Sequence, residues 1–330
     1  ELLKSDEPYR VFTDDSVIQI SYQSQDWWIG RSVRVSRRSG TSAPLNLVFA
    51  LRYYRRDYFQ SPPVSIYLNP VFHSAENYVV SLGLSNQNIY RSSLYFGFGN
   101  TEDIPVGFKI QATSGIQQST FQRRFLIGGE LSAAEVTPWG YLFLSSRLGG
   151  YLAEGPKVEQ AVINIRAQYF SNLYHIGRND IRHFIRYDFT RGAARFSGER
   201  EYVVLTNNYG VRGLRSPDLY GQTRLMFNFE SMLYSPHYIY GFRPAFFVFA
   251  DFGMVGESDE LIYQNTLYSG FGVGLRLKNE SLIFPTFLFR IGYYPKLPPD
   301  AEVAYWFIST ENRRNFEQFR IKEPYILQYQ

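Results

Sequence analysis

The chain of 330 residues carries 34 Lys+Arg against 30 Asp+Glu, a formal net charge of +4, with 18% aromatic residues and a mean hydropathy of −0.26. The charges are spread without a basic block, which gives no ground for a nucleic-acid partner, and the absence of cysteine excludes disulfides, thiolate metal sites and a cysteine nucleophile. No apolar run approaches the ~18 residues of a spanning helix, so any passage through a bilayer has to use strands.

Residues 1–15 are polar, carry Pro8, and read as a short leading segment ahead of the first strand. The sequence starts at Glu1 with no methionine or apolar targeting stretch, which implies a removed signal peptide or a fragment. From Val17 to Gln23 the residues alternate, with Ile18, Ile20 and Tyr22 on one face and Gln19, Ser21 and Gln23 on the other. Trp27-Trp28 follows, a pair suited to a membrane-interface girdle and equally to the corner of a soluble sandwich. Further strands are expected over 45–54, 64–72, 78–84, 92–99, 105–115, 121–132, 140–151, 161–169, 183–190 and 202–206, with turn-rich breaks between them and no linker or low-complexity tract. In the strand at 183–190, Ile185, Tyr187 and Phe189 oppose Arg186, Asp188 and Thr190. A charge on a lipid-facing mid-bilayer position costs about 2–4 kcal/mol, so such rows are expected to face a wet interior.

The chain is organised around 210–253. Gly210-Val211-Arg212-Gly213 places an arginine between glycines that let the backbone bend. In the strand at 222–234 the period-two reading puts Leu225, Phe227, Phe229 and Leu233 on one face and Arg224, Asn228 and Glu230 on the other. In the strand at 245–255 it sets Phe246, Val248 and Phe252 outward and Asp251 inward, with Phe247 and Phe249 on the face of Asp251. A loop guanidinium can be gripped by two carboxylates from different strands, and the same three residues also fit a solvated loop and two solvated strand positions. Strands at 268–277, 286–294 and 303–309 complete the pattern, and Gly270, Gly272 and Gly274 leave one face of the first open for something lying inside.

The Val-Arg-Gly segment, the acids at Glu230 and Asp251, the glycine-alternating strand from Ser269 to Arg276 and the strand from Leu288 to Tyr294 together resemble the C-terminal barrel signature of the BamA/TamA superfamily, which assembles and translocates outer-membrane and surface proteins. The resemblance covers about the last third of the chain. It implies an all-β fold, a single transmembrane antiparallel barrel of about 16 strands over residues 1–309, in the outer membrane of a diderm bacterium, with lipid around it and envelope or client proteins as partners. It also implies that Arg212 sits on a long extracellular loop folded back inside, held by Glu230 and Asp251 and hinged at Gly210 and Gly213, while the seam between first and last strands takes up incoming chains. Leu214 departs from the family, which has Phe or Tyr there, and relatives carry periplasmic domains for which the leading residues leave no room. The alternative is a non-catalytic structural or partner-binding barrel in a larger envelope complex, with a diffusion pore behind it.

An even strand number with both termini periplasmic requires an odd number before an outer loop; with five strands after Arg212, sixteen in all would need eleven before it. On that reading 257–265 and 295–302 are external, while 236–243 and 279–285 are periplasmic. The histidines His73, His175, His183 and His237 are scattered without zinc-ligand spacing, and no nucleophile elbow or phosphate loop is present, so neither an enzyme nor a cofactor is expected. Residues 310–330 run past the last strand, break the alternation and carry Pro324, yet include Phe316, Phe319, Tyr325, Ile326, Leu327 and Tyr329. So many apolar residues exceed what a solvated tail carries, and a periplasmic plug or docking segment is expected, with Phe316, Phe319, Tyr325 and Leu327 as its contacts.

Overall fold

A computed structural model describes residues 2–11, 14–36, 43–95, 101–153, 157–196, 201–206, 210–279, 286–311, 316–324 and Tyr329. Among them the chain is all-β without an α-helix; no helix is long and apolar enough to cross a membrane, which says nothing of crossing by strands. The strands are β1 (Leu2–Val11), β2 (Asp14–Arg34), β3 (Asn46–Gln60), β4 (Ala75–Ser93), β5 (Thr101–Ser119), β6 (Arg123–Thr137), β7 (Gly140–Leu152), β8 (Val158–Ser171), β9 (Tyr174–Ile176), β10 (Asn179–Ala193), β11 (Val203–Val204), β12 (Leu214–Arg215), β13 (Tyr220–Gly221), β14 (Thr223–Tyr234), β15 (Arg243–Gly256), β16 (Tyr268–Lys278), β17 (Thr286–Tyr293), β18 (Glu302–Val303) and β19 (Trp306–Glu311). One antiparallel sheet runs β1-β2-β3-β4-β5-β6-β7-β8-β10-β14-β15-β16-β17-β19, with β9 paired to β10 off this path. The ladders β11–β13 and β12–β18 stand apart from it. No ladder joins β1 to β19 among the described residues.

Nine strands of the path precede Arg212 and five follow it, fourteen among the described residues where sixteen were expected. Alternation marks extended backbone but not where a partner strand ends. The segment at 17–23, the Trp pair and the basic residues after it form one 21-residue strand, β2. Residue 92 belongs to the end of β4, and Val203 and Val204 belong to the off-sheet ladder. The stretch at 64–72 is a loop: Pro63 and Pro70 offer no N–H, Asn69 has a left-handed φ of 51°, and a 3-10 turn follows. Residues 2–11, read as a leading segment, pair with β2 as β1.

The two faces of the sheet are inverted relative to a water-soluble protein. On β6 Phe125, Ile127 and Leu131 are exposed, while Arg124, Glu130 and Ser132 between them are buried. On β4 Tyr78, Val80 and Leu82 are exposed and Asn77 and Ser81 buried; on β15 Phe246 and Val248 are 50% exposed and Asp251 is 0% exposed. The burial follows from curvature. β4 and β10 are five strand spacings apart, about 24 Å in a flat sheet, yet Arg182 Nη1 of β10 donates to the carbonyl of Ser93, the last residue of β4, at 3.0 Å. The ends of β4 and β5 pair only with each other beyond Asn86 and Gly107, and this ribbon leans over the inner face, where Ile104 is buried against Tyr141, Phe143 and Phe170. The polar rows therefore line the concave, buried face of the sheet.

Close packing on that surface uses missing side chains. Gly274 is covered by the ring of Phe247, and a Cβ there would also lie 2.6 Å from the carbonyl oxygen of Phe289, which cannot rotate away. Gly274→Ala is therefore expected to lower stability by about 1–3 kcal/mol, read as a drop in the melting temperature of the purified protein, and unchanged melting would contradict the packing.

Candidate functional site

The segment between β10 and β14 turns back onto the inner face as a small unit with its own apolar centre. Leu205, Val211, Leu214, Leu219, Met226 and Tyr294 are buried together, and Val255, Tyr268, Ala301 and Val303 pack around them. Its backbone is anchored by Leu205 N–H to Leu219 O at 2.9 Å, by Ala304 N–H to Gly213 O at 2.9 Å, and by the register of Leu214 with Val303. Gly213 has φ +85°, and a Cβ would meet Tyr294 Oη and come 3.1 Å from Ala304 O, so both conformation and space require glycine. The chain bends at Gly210 as well, and its bare Cα lets Leu205 pack directly against the backbone there.

Arg212 is thereby carried to the two acids read from the sequence. Its Nε and Nη2 donate to Asp251 Oδ2 and Oδ1, both at 2.8 Å, its Nη1 donates to Glu230 Oε2 at 2.6 Å, and its backbone N–H donates to Asp251 Oδ2 at 3.0 Å. The guanidinium lies over the Phe249 ring, 4.4 Å from the centroid. Burial by itself would lower the arginine pKa; the charges and hydrogen bonds of Asp251 and then Glu230 reverse this and raise it above its ordinary value, so Arg212 stays charged. The two forked contacts fix position and orientation together.

Four neighbours complete the site. Asn228 Nδ2 donates to Asp251 Oδ1 at 2.9 Å and to Gly210 O at 3.2 Å, tying acid to loop. Arg276 Nη1 donates to Glu230 Oε1 at 2.7 Å and its guanidinium stacks on Phe247. Tyr294 Oη donates to the carbonyl of Arg212 at 2.6 Å. Arg290 is buried beside Gly213 and stacks on Phe307, 4.9 Å from the centroid. Asn228 stood on a polar row of the sequence, and Arg276 shares the parity of the three glycines of its strand; the roles of Tyr294 and Arg290 depend on the fold and had no signal. Leu214 is fully buried in the loop's apolar centre, in the same cluster as Tyr294. Of the three glycines on β16, Gly270 makes room for Val211 of the loop, and Gly272 and Gly274 take the rings of Phe249 and Phe247. Those two phenylalanines share the face of Asp251 because they form the aromatic floor beneath the arginines.

Phe316 and Phe319 of the tail make packing contacts, as expected, with residues of the sheet. Phe316 to Pro324 runs along the inner face of the sheet and not beyond its end. Glu317 Oε2 accepts from Arg147 Nη2 at 2.7 Å and Glu317 Oε1 from Arg166 Nη1 at 2.5 Å, and Phe319 is buried against Phe143. The Pro324 carbonyl accepts from Arg52 Nη1 at 2.9 Å, and the Tyr329 hydroxyl donates to the Gln222 carbonyl while its ring lies beneath the guanidinium of Arg195. The charge on the inner walls draws the acid inward. Tyr325 and Leu327 lie outside the described residues.

No protein-family model matches the chain, and no curated protein matches it. The site offers ionic and aromatic contacts that clamp a loop, and among the described residues no group of His, Asp and Glu is placed to hold a metal ion.

Arg212→Ala would leave Glu230 and the fully buried Asp251 without their shared cation, at a cost of about 3–5 kcal/mol. The expected result is a protein that still folds but unfolds at lower temperature on heated, semi-native gels. Arg212→Lys should recover only part of the loss, since an ammonium cannot bridge three carboxylate oxygens in the same plane.

Proposed function

We propose that the chain is a transmembrane β-barrel of the BamA/TamA type in the outer membrane of a diderm bacterium, taking part in the insertion or translocation of outer-membrane or surface proteins. The observation that carries this reading is the Val211-Arg212-Gly213 loop, folded against the inner face and gripped by Asp251 and Glu230, in a sheet whose other face is apolar. A hydrocarbon surround explains why Phe246, Val248, Val273, Ile291 and Trp306 are exposed while Glu230, Asp251, Arg276 and Arg290 are buried. Fourteen is an even number, and β1 and β19 are adjacent edges once the sheet closes on itself. In this arrangement the Arg212 loop and the connections 257–267 and 294–305 face outward, and 235–242 faces the periplasm. Incoming chains would add to the β1/β19 edges by strand pairing.

A second reading, a structural or partner-binding barrel within a larger envelope complex, is favoured by the tail that occupies the inner surface. Depletion of the protein in its host separates the two. An assembly role predicts a several-fold fall in other outer-membrane barrels with unfolded forms accumulating, and a binding role predicts loss of one complex with barrel levels unchanged.

Membrane insertion and orientation have a direct test, because the chain has no cysteine. Single cysteines at Asp259 and Asp300 are expected to react with an impermeant maleimide on intact cells, and one at Tyr240 only after the outer membrane is opened. The opposite pattern would overturn the orientation. Val273→Arg, on the apolar face, is expected to cost about 2–4 kcal/mol of stability in lipid, measured by denaturant unfolding in vesicles.

A further inference from the structure

The inner face carries a chain of alternating charges in which one link is supplied by the tail. Lys109 on β5 meets Glu130 on β6 at 2.7 Å, Glu130 meets Arg147 on β7 at 3.3 Å, and Arg147 meets Glu317 at 2.7 Å. From there Glu317 meets Arg166 on β8 at 2.5 Å, Arg166 meets Asp188 on β10 at 3.0 Å, and Asp188 meets Arg224 on β14 at 3.3 Å. Without Glu317 the walls hold four cations and two anions in this row. The excess positive charge lies at Arg147 and Arg166, where two guanidinium groups from neighbouring strands converge on one carboxylate.

Aromatic boxes flank this basic pair. Phe316 packs on Tyr95 with ring centroids 4.4 Å apart and faces Tyr141 edge-on, and Phe319 is enclosed with Ile104 and Phe143. The pattern recognised is aromatic, acid, any residue, aromatic. Between the anchors Gln318, Arg320, Lys322 and Glu323 are exposed, so open space lies alongside the segment. Its backbone belongs to no ladder; Phe319 N–H donates to the side chain of Gln87, and the Pro324 carbonyl accepts from Arg52. The segment is held by side chains along one wall, as a bound peptide is.

We propose that residues 316–324 are the tethered occupant of a peptide-binding cleft on the inner face, and that the cleft accepts an extended segment of another polypeptide with the same aromatic-acid-any-aromatic pattern when the tail is withdrawn. Recognition comes from the paired guanidinium groups of Arg147 and Arg166 and from the two aromatic boxes. Nothing in this geometry depends on an assembly role for the protein. A tether of this kind holds its ligand at an effective concentration of order millimolar, so a free peptide with the same contacts competes only near that concentration until the tail is weakened.

The test uses the full chain. Lys322→Cys gives a single thiol on an exposed tail position, to which a nitroxide is attached, and the purified protein is titrated with a synthetic peptide of residues 316–324. The label is expected to become mobile as the peptide displaces the tail, with half-displacement at about millimolar peptide. With Glu317→Gln added in the chain, but not in the peptide, half-displacement should move about tenfold to a hundredfold lower, the worth of the lost charged contacts. Peptides carrying Glu317→Gln or Phe319→Ala should displace far less. A label that stays immobile in both chains at saturating peptide, or a Gln peptide that works as well as the Glu peptide, would overturn the proposal.

Discussion

The charge of Arg212 sets the geometry of the last third of the molecule. A guanidinium removed from water needs several acceptors in one plane, and Asp251 and Glu230 supply three carboxylate oxygens from adjacent strands. This requires β14 and β15 in a register that brings Asn228 opposite Asp251, a loop tip that passes within hydrogen-bonding distance of the strand, and glycine where Tyr294 crosses the chain. The aromatic floor of Phe247 and Phe249, and the glycines that accommodate it, follow from the same need: without them no flat surface would lie under Arg212 and Arg276. The loop's apolar centre makes the placement permanent, since leaving the site would expose Leu205, Val211 and Leu214 together.

Charge elsewhere on the inner face is managed in the same way but less completely. Arg124 pairs with Glu159, donates to Gln117 and Gln160, and stacks on Tyr151 at 4.0 Å. Arg195 pairs with Glu201 at 2.7 Å. The first reaches from β6 past β7 to β8, and the second closes a short span of chain after β10. The row from Lys109 to Arg224 instead crosses six strands and is continuous only because Glu317, far away in sequence, enters it. Curvature makes this possible, because side chains that would point apart on a flat sheet converge inside.

The sequence made one face of the story legible and concealed the other. Period-two alternation reports which side of a strand a residue occupies, so Asp188, Glu230 and Asp251 could be set inward and Phe246 and Val248 outward from the letters alone. The grip of Arg212 by two carboxylates was accessible because glycines on both sides marked an unusual backbone. Strand ends were not accessible: β2 continues through two tryptophans and a basic run, and 64–72 alternates yet holds a proline-started turn. Contacts fixed by curvature left no trace either. Nothing local to Phe316-Glu317 says that Arg147 and Arg166 await it, and the bond from Tyr294 to the Arg212 carbonyl could be found only once the loop was folded.

The two inserted segments differ in how firmly they are held, and the difference follows from solvent. Asp251 is 0% exposed and Glu230 7% at their side chains, so breaking their contact with Arg212 leaves charge where water cannot reach. Glu317 is 27% exposed, and Arg147 and Arg166 are 24% and 22% exposed, so water can take over when that contact opens. Ion pairs of similar length therefore have different consequences: the first behaves as part of the fold and the second as an exchangeable contact. The inner face thus holds one cation in a contact closed to water, and two others, each also paired with a wall carboxylate, against a segment that water can reach.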